Sequence, residues 1–254
     1  MSLETSLLQK IDNTTALLHA IATQYPPVTI ANSFGAEDMV LTDLICQHVP
    51  GIEMFSIDTG RLPEETYRLM QEVKRRYGIS IQVYFPNEAA VERYLRAHGP
   101  NAFYESIELR KACCYVRKVE PLRRALAGKR AWITGLRWEQ APTRRDLPVQ
   151  EWDADNRLQK FNPLLEWTQA DVWDYIRRFG VPYNTLHDSG YPSIGCGPCT
   201  RAVAPGQDIR AGRWWWEEPS GKECGLHCGD RAADKSSSGA ASGRKKFLAM
   251  EGDG

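Results

Sequence analysis

The sequence predicts an α/β fold, a mostly parallel sheet with flanking helices, on two observations. Short β-branched runs alternate with amphipathic segments through the first half of the chain, and turn residues punctuate the ends of those runs. Leu7, Leu8, Ile11, Leu17, Leu18 and Ile21 fall at helical spacing and predict a leading amphipathic helix. Val28 to Ser33 reads as the first strand, and Glu37 to His48, with Met39, Val40, Leu44 and Ile45 on one face, as the next helix. Ile52 to Ile57 alternates as a strand before Pro63 opens a helix to Tyr77. Further strands are predicted at Ile81 to Phe85 and Ala131 to Thr134. Trp167 to Trp173 opens a later helix, with Thr168 as N-cap and Asp171 complementing the dipole. Such a sheet binds its ligands beyond the carboxyl ends of its strands, so the loops there carry the functional information.

Composition bounds the function. A chain of 254 residues, 42% hydrophobic and 25% charged, buries one sizeable core with an appended segment. Met1 to Thr5 carries no basic region, and no apolar stretch approaches a membrane span, so a soluble cytoplasmic protein without a membrane partner is expected. A net charge of +0 argues against bulk nucleic-acid binding and leaves room for a local basic site for a phosphorylated small molecule. Seven cysteines in a cytosolic chain read as ligand or catalytic thiols.

Four of those cysteines form two tight pairs, Cys113-Cys114 and Cys196-Gly197-Pro198-Cys199. Four thiolates suit a tetrahedral zinc or a cubane iron-sulfur cluster. Adjacent cysteines disfavour a mutual disulfide and depart from the Cys-x-x-Cys pairs of zinc ribbons. The cluster is therefore the first reading, zinc the second and core cysteines the third. Cys224, in Glu223-Cys224-Gly225-Leu226-His227, is left for chemistry. Cys46 reads as core and His187 as structural, while Cys228 is an incidental thiol or a resolving partner for an oxidised Cys224.

Two strand-end loops invite a nucleotide. In Ser33-Phe34-Gly35-Ala36-Glu37-Asp38, orphan N–H groups at a helix start favour an anion, with Ser33 adding a hydroxyl and Gly35 allowing close approach. An ordinary turn and cap is the competing reading, and no Walker pattern is present. In Asp58-Thr59-Gly60-Arg61, Asp58 is placed to accept from a ribose hydroxyl or an adenine amine. Alternatively Thr59 and Gly60 only shape the turn, while Glu64 and Glu65 complement the next helix.

Together with Cys113-Cys114-x-x-Arg117-Lys118-x-Glu120-Pro121-Leu122, Gly135-Leu136-Arg137 and the Cys196 to His227 motifs, these segments resemble assimilatory adenylylsulfate (APS) reductase. That is the iron-sulfur form of the phosphoadenylylsulfate reductase family, and the resemblance spans roughly residues 25 to 228. It implies an adenine-nucleotide alpha-hydrolase-like (Rossmann-like) fold and one 4Fe-4S cluster held by Cys113, Cys114, Cys196 and Cys199. It also implies reduction of adenosine 5′-phosphosulfate to sulfite and AMP in sulfate assimilation (cysteine biosynthesis), with thioredoxin or glutaredoxin as reductant. The catalytic residue is then Cys224. The substrate contacts are Ser33, Phe34, Gly35, Asp58, Arg144, Arg210, Arg213 and His227, with Lys118 serving cluster electrostatics. Arg210 and Arg213, within Asp208 to Trp216, match the family's phosphosulfate-binding arginines. The chain departs from the family at Trp138, where a second arginine is usual, and near Ala141, where a serine is.

The residues also dictate a chemistry. A thiolate displaces AMP from the electrophilic sulfur and holds the sulfonate as a thiosulfonate. Arg210, Arg213 and His227 are the basic neighbours that would lower the pKa of Cys224. Lys118, four residues after Cys114, falls one turn from the cluster ligand if the segment is helical. The organisation expected is an α/β nucleotide- and cluster-binding domain over 1–199 and a mobile catalytic segment over 200–228. The low-complexity tail, 229–254, is expected to be disordered, and no function attaches to it. The rival functions are a 3′-phosphoadenylylsulfate or dual-substrate reductase, an iron-sulfur tRNA thiolation enzyme, and a zinc-binding module. The thiolation enzyme requires a Ser-Gly-Gly-x-Asp-Ser loop that is missing here. Strict 3′ selectivity, the physiological reductant and homo-oligomer formation are left open by the sequence.

Overall fold

The computed structural model describes residues 3–141 and 144–218. Six strands form one sheet in the order β3-β2-β1-β4-β6-β5. They are β1 (Val28–Ala31), β2 (Glu53–Ile57), β3 (Gln82–Tyr84), β4 (Ala131–Ile133), β5 (Gln150–Asp153) and β6 (Leu158–Phe161). All pairings are parallel except the β5–β6 hairpin. The mostly parallel sheet expected from the sequence is therefore present, with an antiparallel edge strand added.

β1 is central because Val28, Ile30 and their neighbours are buried, and in register Ile30 lies between Met54 and Ile133. One face is covered by α1 (Leu3–Gln24), α2 (Ala36–His48), α3 (Glu64–Tyr77) and α7 (Gln169–Phe179), which supply Leu18, Leu44, Val73 and Ile176 to the larger core. The other face packs Phe55, Trp132 and Leu158 against Leu122 and Leu126 of α6 (Glu120–Leu126). Helices on both faces leave a crevice where the strand order reverses between β1 and β4.

Caps mark the ends as the sequence implies. Pro63 is the N-cap residue of α3, and Thr168 forms a capping box with Asp171 at the start of α7. The sequence did not predict α4 (Glu88–His98), whose Tyr94 alone is buried. Between α5 (Ile107–Cys114) and α6, Tyr115–Val119 is π-helical, with the Glu120 N–H donating to the Tyr115 carbonyl. Among the described residues no helix is long and apolar enough to cross a membrane.

Candidate active site

A cavity of about 260 Å³ opens beyond the carboxyl ends of β1, β2 and β4. Its floor comes from the loop after β1. Phe34 takes a left-handed backbone conformation, φ 61°, and its side chain is 1% exposed in the core, so it does not line the cavity as the sequence reading proposed. Gly35 has an ordinary φ of −72° and lines the cavity. Ser33 lines the cavity, and its N–H and Oγ both donate to Asp38 Oδ2, at 2.7 and 2.6 Å. The Ser33 N–H is thus already occupied, and Glu37 and Asp38 place two acidic side chains in the first turn of α2. An anion is better held by the cations that line the same cavity. Burial pushes the Asp38 carboxyl up to about 6, aided by Glu37 and opposed by the Ser33 hydrogen bonds.

Asp58 also differs from its sequence reading. Its carboxylate accepts from the Gly60 N–H at 2.7 Å and from the Tyr67 hydroxyl at 3.0 Å, and it faces the turn instead of the cavity. The loop it shapes joins the two cysteine segments. Arg117 Nη1 donates to the Thr59 carbonyl at 2.7 Å, Thr59 Oγ1 lies 3.2 Å from Cys196 Sγ, and Gly197 N–H donates to the Arg61 carbonyl at 2.8 Å.

The cysteine pairs converge. Cys113 and Cys114 end α5, Cys196 caps the 3-10 turn Gly197–Cys199, and all four are free thiols. Burial and the neighbouring Cys196 push the Cys199 thiol up to about 12, against the charges of Lys118 and Arg213. Burial likewise raises Cys113, with Arg117 opposing and Cys196 adding to the rise. Cys114 follows Cys113 directly at the end of the same helix, close to Tyr94 of α4. Among the described residues no three His, Cys, Asp or Glu side chains gather closely enough for a single metal ion. Four thiols are the donor set whose chemistry suits a four-iron cluster, one thiolate to each iron.

Cations face the cavity. Lys118, Arg144, Arg210 and Arg213 line the cavity. Arg213 is buried, donating through Nη1 to the Ile194 carbonyl at 3.1 Å, with its guanidinium lying where a Cβ on Gly195 would stand. The buried Arg144 donates to Gln140 Oε1. Glu120, two residues after Lys118, engages Arg124 Nε at 2.7 Å. Cys224, His227, Cys228 and the tail from 229 lie outside the described residues. Residues 27–202 match the phosphoadenosine phosphosulfate reductase domain. The chain belongs to the phosphoadenosine phosphosulfate reductase family.

Within that family, the chain is 54% identical to the adenosine 5′-phosphosulfate reductase of Allochromatium vinosum, over 83% of this chain and 82% of the relative. It is 52% identical to the Burkholderia cepacia protein of the same name, over 89% and 90%. The crystal structure of phosphoadenylyl-sulfate (PAPS) reductase from Candida auris, a phosphate complex, superposes with a TM-score of 0.65 at 29% identity, covering 80% of this chain and 98% of that one. Candida glabrata FMN adenylyltransferase bound to ATP shares the fold alone, at TM-score 0.54 and 16% identity, over 76% and 62%.

The sequence reading missed several site groups of this family member. Arg137, 2% exposed, pairs with Glu37 at 2.8 Å and fixes the loop after β4 to α2. Its signal was the Gly135-Leu136-Arg137 motif at the strand-order reversal. Gly135 is required there because an added Cβ would lie 2.5 Å from Asp38 Oδ1. His187, expected to be structural, is held by the Tyr191 carbonyl at 2.8 Å and the edge of Trp173, and it also lines the cavity.

Proposed function

We propose that this family member reduces adenosine 5′-phosphosulfate to sulfite and AMP in cytoplasmic sulfate assimilation. Cys224 is the nucleophile, one 4Fe-4S cluster is held by Cys113, Cys114, Cys196 and Cys199, and a dithiol protein of the thioredoxin class is the reductant. The names of the relatives at about half identity support the substrate. The observation that carries the reading is the place of Lys118. It follows Cys114 by four residues, in the turn that continues the cysteine helix, and it lines the cavity together with Arg144, Arg210 and Arg213.

The residues divide the work. Guanidinium forks of Arg144, Arg210 and Arg213 match phosphate and sulfate oxygens and fix the phosphosulfate against the basic wall. The Cys224 thiolate attacks the sulfur, forming an S–S bond as the S–O bond to the AMP phosphate breaks, and AMP leaves with that electron pair. A thiolate of the reductant then attacks Cys224 Sγ, and sulfite departs with the S–S electrons. The reductant's second thiol resolves the mixed disulfide and restores Cys224. Both electrons come from the dithiol, so no step requires the cluster to change oxidation state. When bound, the cluster contributes a charged, polarisable group beside Lys118, and the cationic side chain relays that field to the cavity.

The test uses anaerobically purified protein incubated with adenosine 5′-phosphosulfate or its 3′-phosphorylated analogue, without reductant. Peptide masses should show one added SO3 on Cys224 with the unphosphorylated nucleotide. An adduct only with the 3′-phosphorylated compound would reassign the substrate. No adduct with either, at full iron content and with intact thiols, would remove Cys224 as nucleophile.

A further inference from the structure

The side of the cavity formed by residues 210–217 is tied to the cysteine-pair helix by a contact that the mechanism does not use. Arg110 and Glu217 form an ion pair, Nε to Oε1 2.5 Å, with side chains 1% and 3% exposed. Arg110 lies three residues before Cys113 on α5, so it stands on the cysteine helix itself. Its guanidinium also rests 4.5 Å from the centre of the Trp214 ring. The same indole carries Arg213 at 5.0 Å and Arg210 at 6.0 Å. Trp214 is 1% exposed, lines the cavity, and has a φ of 42°, a left-handed conformation that a bulky residue adopts only when its surroundings hold it there.

We propose that the buried Arg110–Glu217 pair is a positioning device for substrate binding. It fixes the Trp214 indole, and the indole in turn sets the guanidiniums of Arg210 and Arg213 at the cavity wall. Three cations gathered at one aromatic ring repel one another. The Glu217 carboxylate offsets that repulsion at Arg110, inside a region from which water is excluded. Glu217 Oε2 is buried without a hydrogen-bond partner among the described residues, so the carboxylate depends on the Arg110 charge for its place. The arrangement rests on the reading of Arg210 and Arg213 as phosphosulfate contacts.

The experiment is a double-mutant cycle on the anaerobic holoprotein, combining Glu217→Gln with Arg210→Ala and measuring equilibrium binding of adenosine 5′-phosphosulfate and of AMP. Glu217→Gln should weaken phosphosulfate binding on the order of tenfold, as loss of a charged hydrogen-bond geometry does, and AMP binding less. In the Arg210→Ala background it should cost clearly less than in the wild type, because of the two guanidiniums it positions only Arg213 remains. Trp214→Phe, which keeps a weaker aromatic face, should act in the same direction and decides the matter if Glu217→Gln does not fold. Iron content and the visible spectrum should stay at wild-type values. Additive losses in the cycle, or equal loss of both nucleotides, would reduce the ion pair to a structural brace and overturn the proposal. If Arg210→Ala itself leaves phosphosulfate binding intact, the phosphosulfate role of the arginine fails first, and the positioning role fails with it.

Discussion

Gly195→Ala should act on Arg213 with little effect on the fold. An ideal Cβ at position 195 would stand 2.3 Å from Nη2, 2.5 Å from Cζ and 2.9 Å from Nη1 of Arg213. Ordinary contact begins near 3.4 Å, so the guanidinium must retreat by about 1 Å. It is the far end of a flexible side chain, and it can retreat without displacing a strand or helix. The move breaks the 3.1 Å bond from Nη1 to the Ile194 carbonyl and takes the fork out of line with its anion. Hydrogen bonds to charged groups contribute about 1.5–3 kcal/mol, which corresponds to roughly 10- to 150-fold in affinity. Calorimetric titration of the anaerobic protein with adenosine 5′-phosphosulfate should show a loss in that range, with thermal stability changed by less than about 1 kcal/mol. Unchanged affinity would refute the reasoning. Iron loss in parallel with the affinity loss would refute it too, because the methyl group would then be acting on the Cys196 loop and not on Arg213.

Lys118→Ala should keep its iron while forming the Cys224 thiosulfonate more slowly, by roughly a hundredfold as for other lost electrostatic donors, in a quenched single-turnover assay. A wild-type rate would exclude the bridging role of Lys118. Asp38 should leave a pH signature in stability. Its folded pKa of about 6 lies above the unfolded 3.8, so it favours folding at acid pH, and that contribution is lost as pH rises through 6. The loss amounts to about 3 kcal/mol across the window, and urea unfolding of Asp38→Asn should show a correspondingly flatter pH dependence. Equal slopes for the two proteins would mean that the carboxyl is not perturbed.

The parallel half of the fold was legible because its strands are apolar and its helices periodic. β1, with Val28 and Ile30 buried, and α2, with Met39, Val40, Leu44 and Ile45 buried, present those patterns directly. The β5–β6 hairpin was not legible. It carries the buried Lys160 paired with the partly buried Glu151 at 2.9 Å, and its exposed edge bears Trp152. α4 escaped notice because it buries little. At the site, the cysteine pairs were legible from their spacing alone. That Phe34 and Asp58 stand off the cavity was not legible, because position in a motif does not reveal direction: Phe34, at a left-handed φ, is buried in the core, and Gly60 and Tyr67 claim Asp58. The Arg110–Glu217 contact joins residues 107 apart, beyond the reach of any local pattern.

The π-helical segment makes chain length the sensitive variable in the cysteine helix. Each residue of an α-helix advances it by about 100°, and a π turn holds one residue more than α geometry needs. Deleting a single residue between Tyr115 and Val119 would let the two flanking helices run on as one regular rod. Cys113 and Cys114 would then stay nearly in phase with Leu122 and Leu126, which anchor the rod to the sheet, whereas a deletion in the regular helix on either side of the π turn would swing them by about 100°. Substitutions in this stretch act through the side chain they replace, as at Arg117 and Lys118, whereas a change of spacing in the regular helix acts on the direction of the whole cysteine pair. In laying related chains side by side or transplanting the helix to another scaffold, the residue count from the cysteine pair to Leu122 is the quantity to preserve.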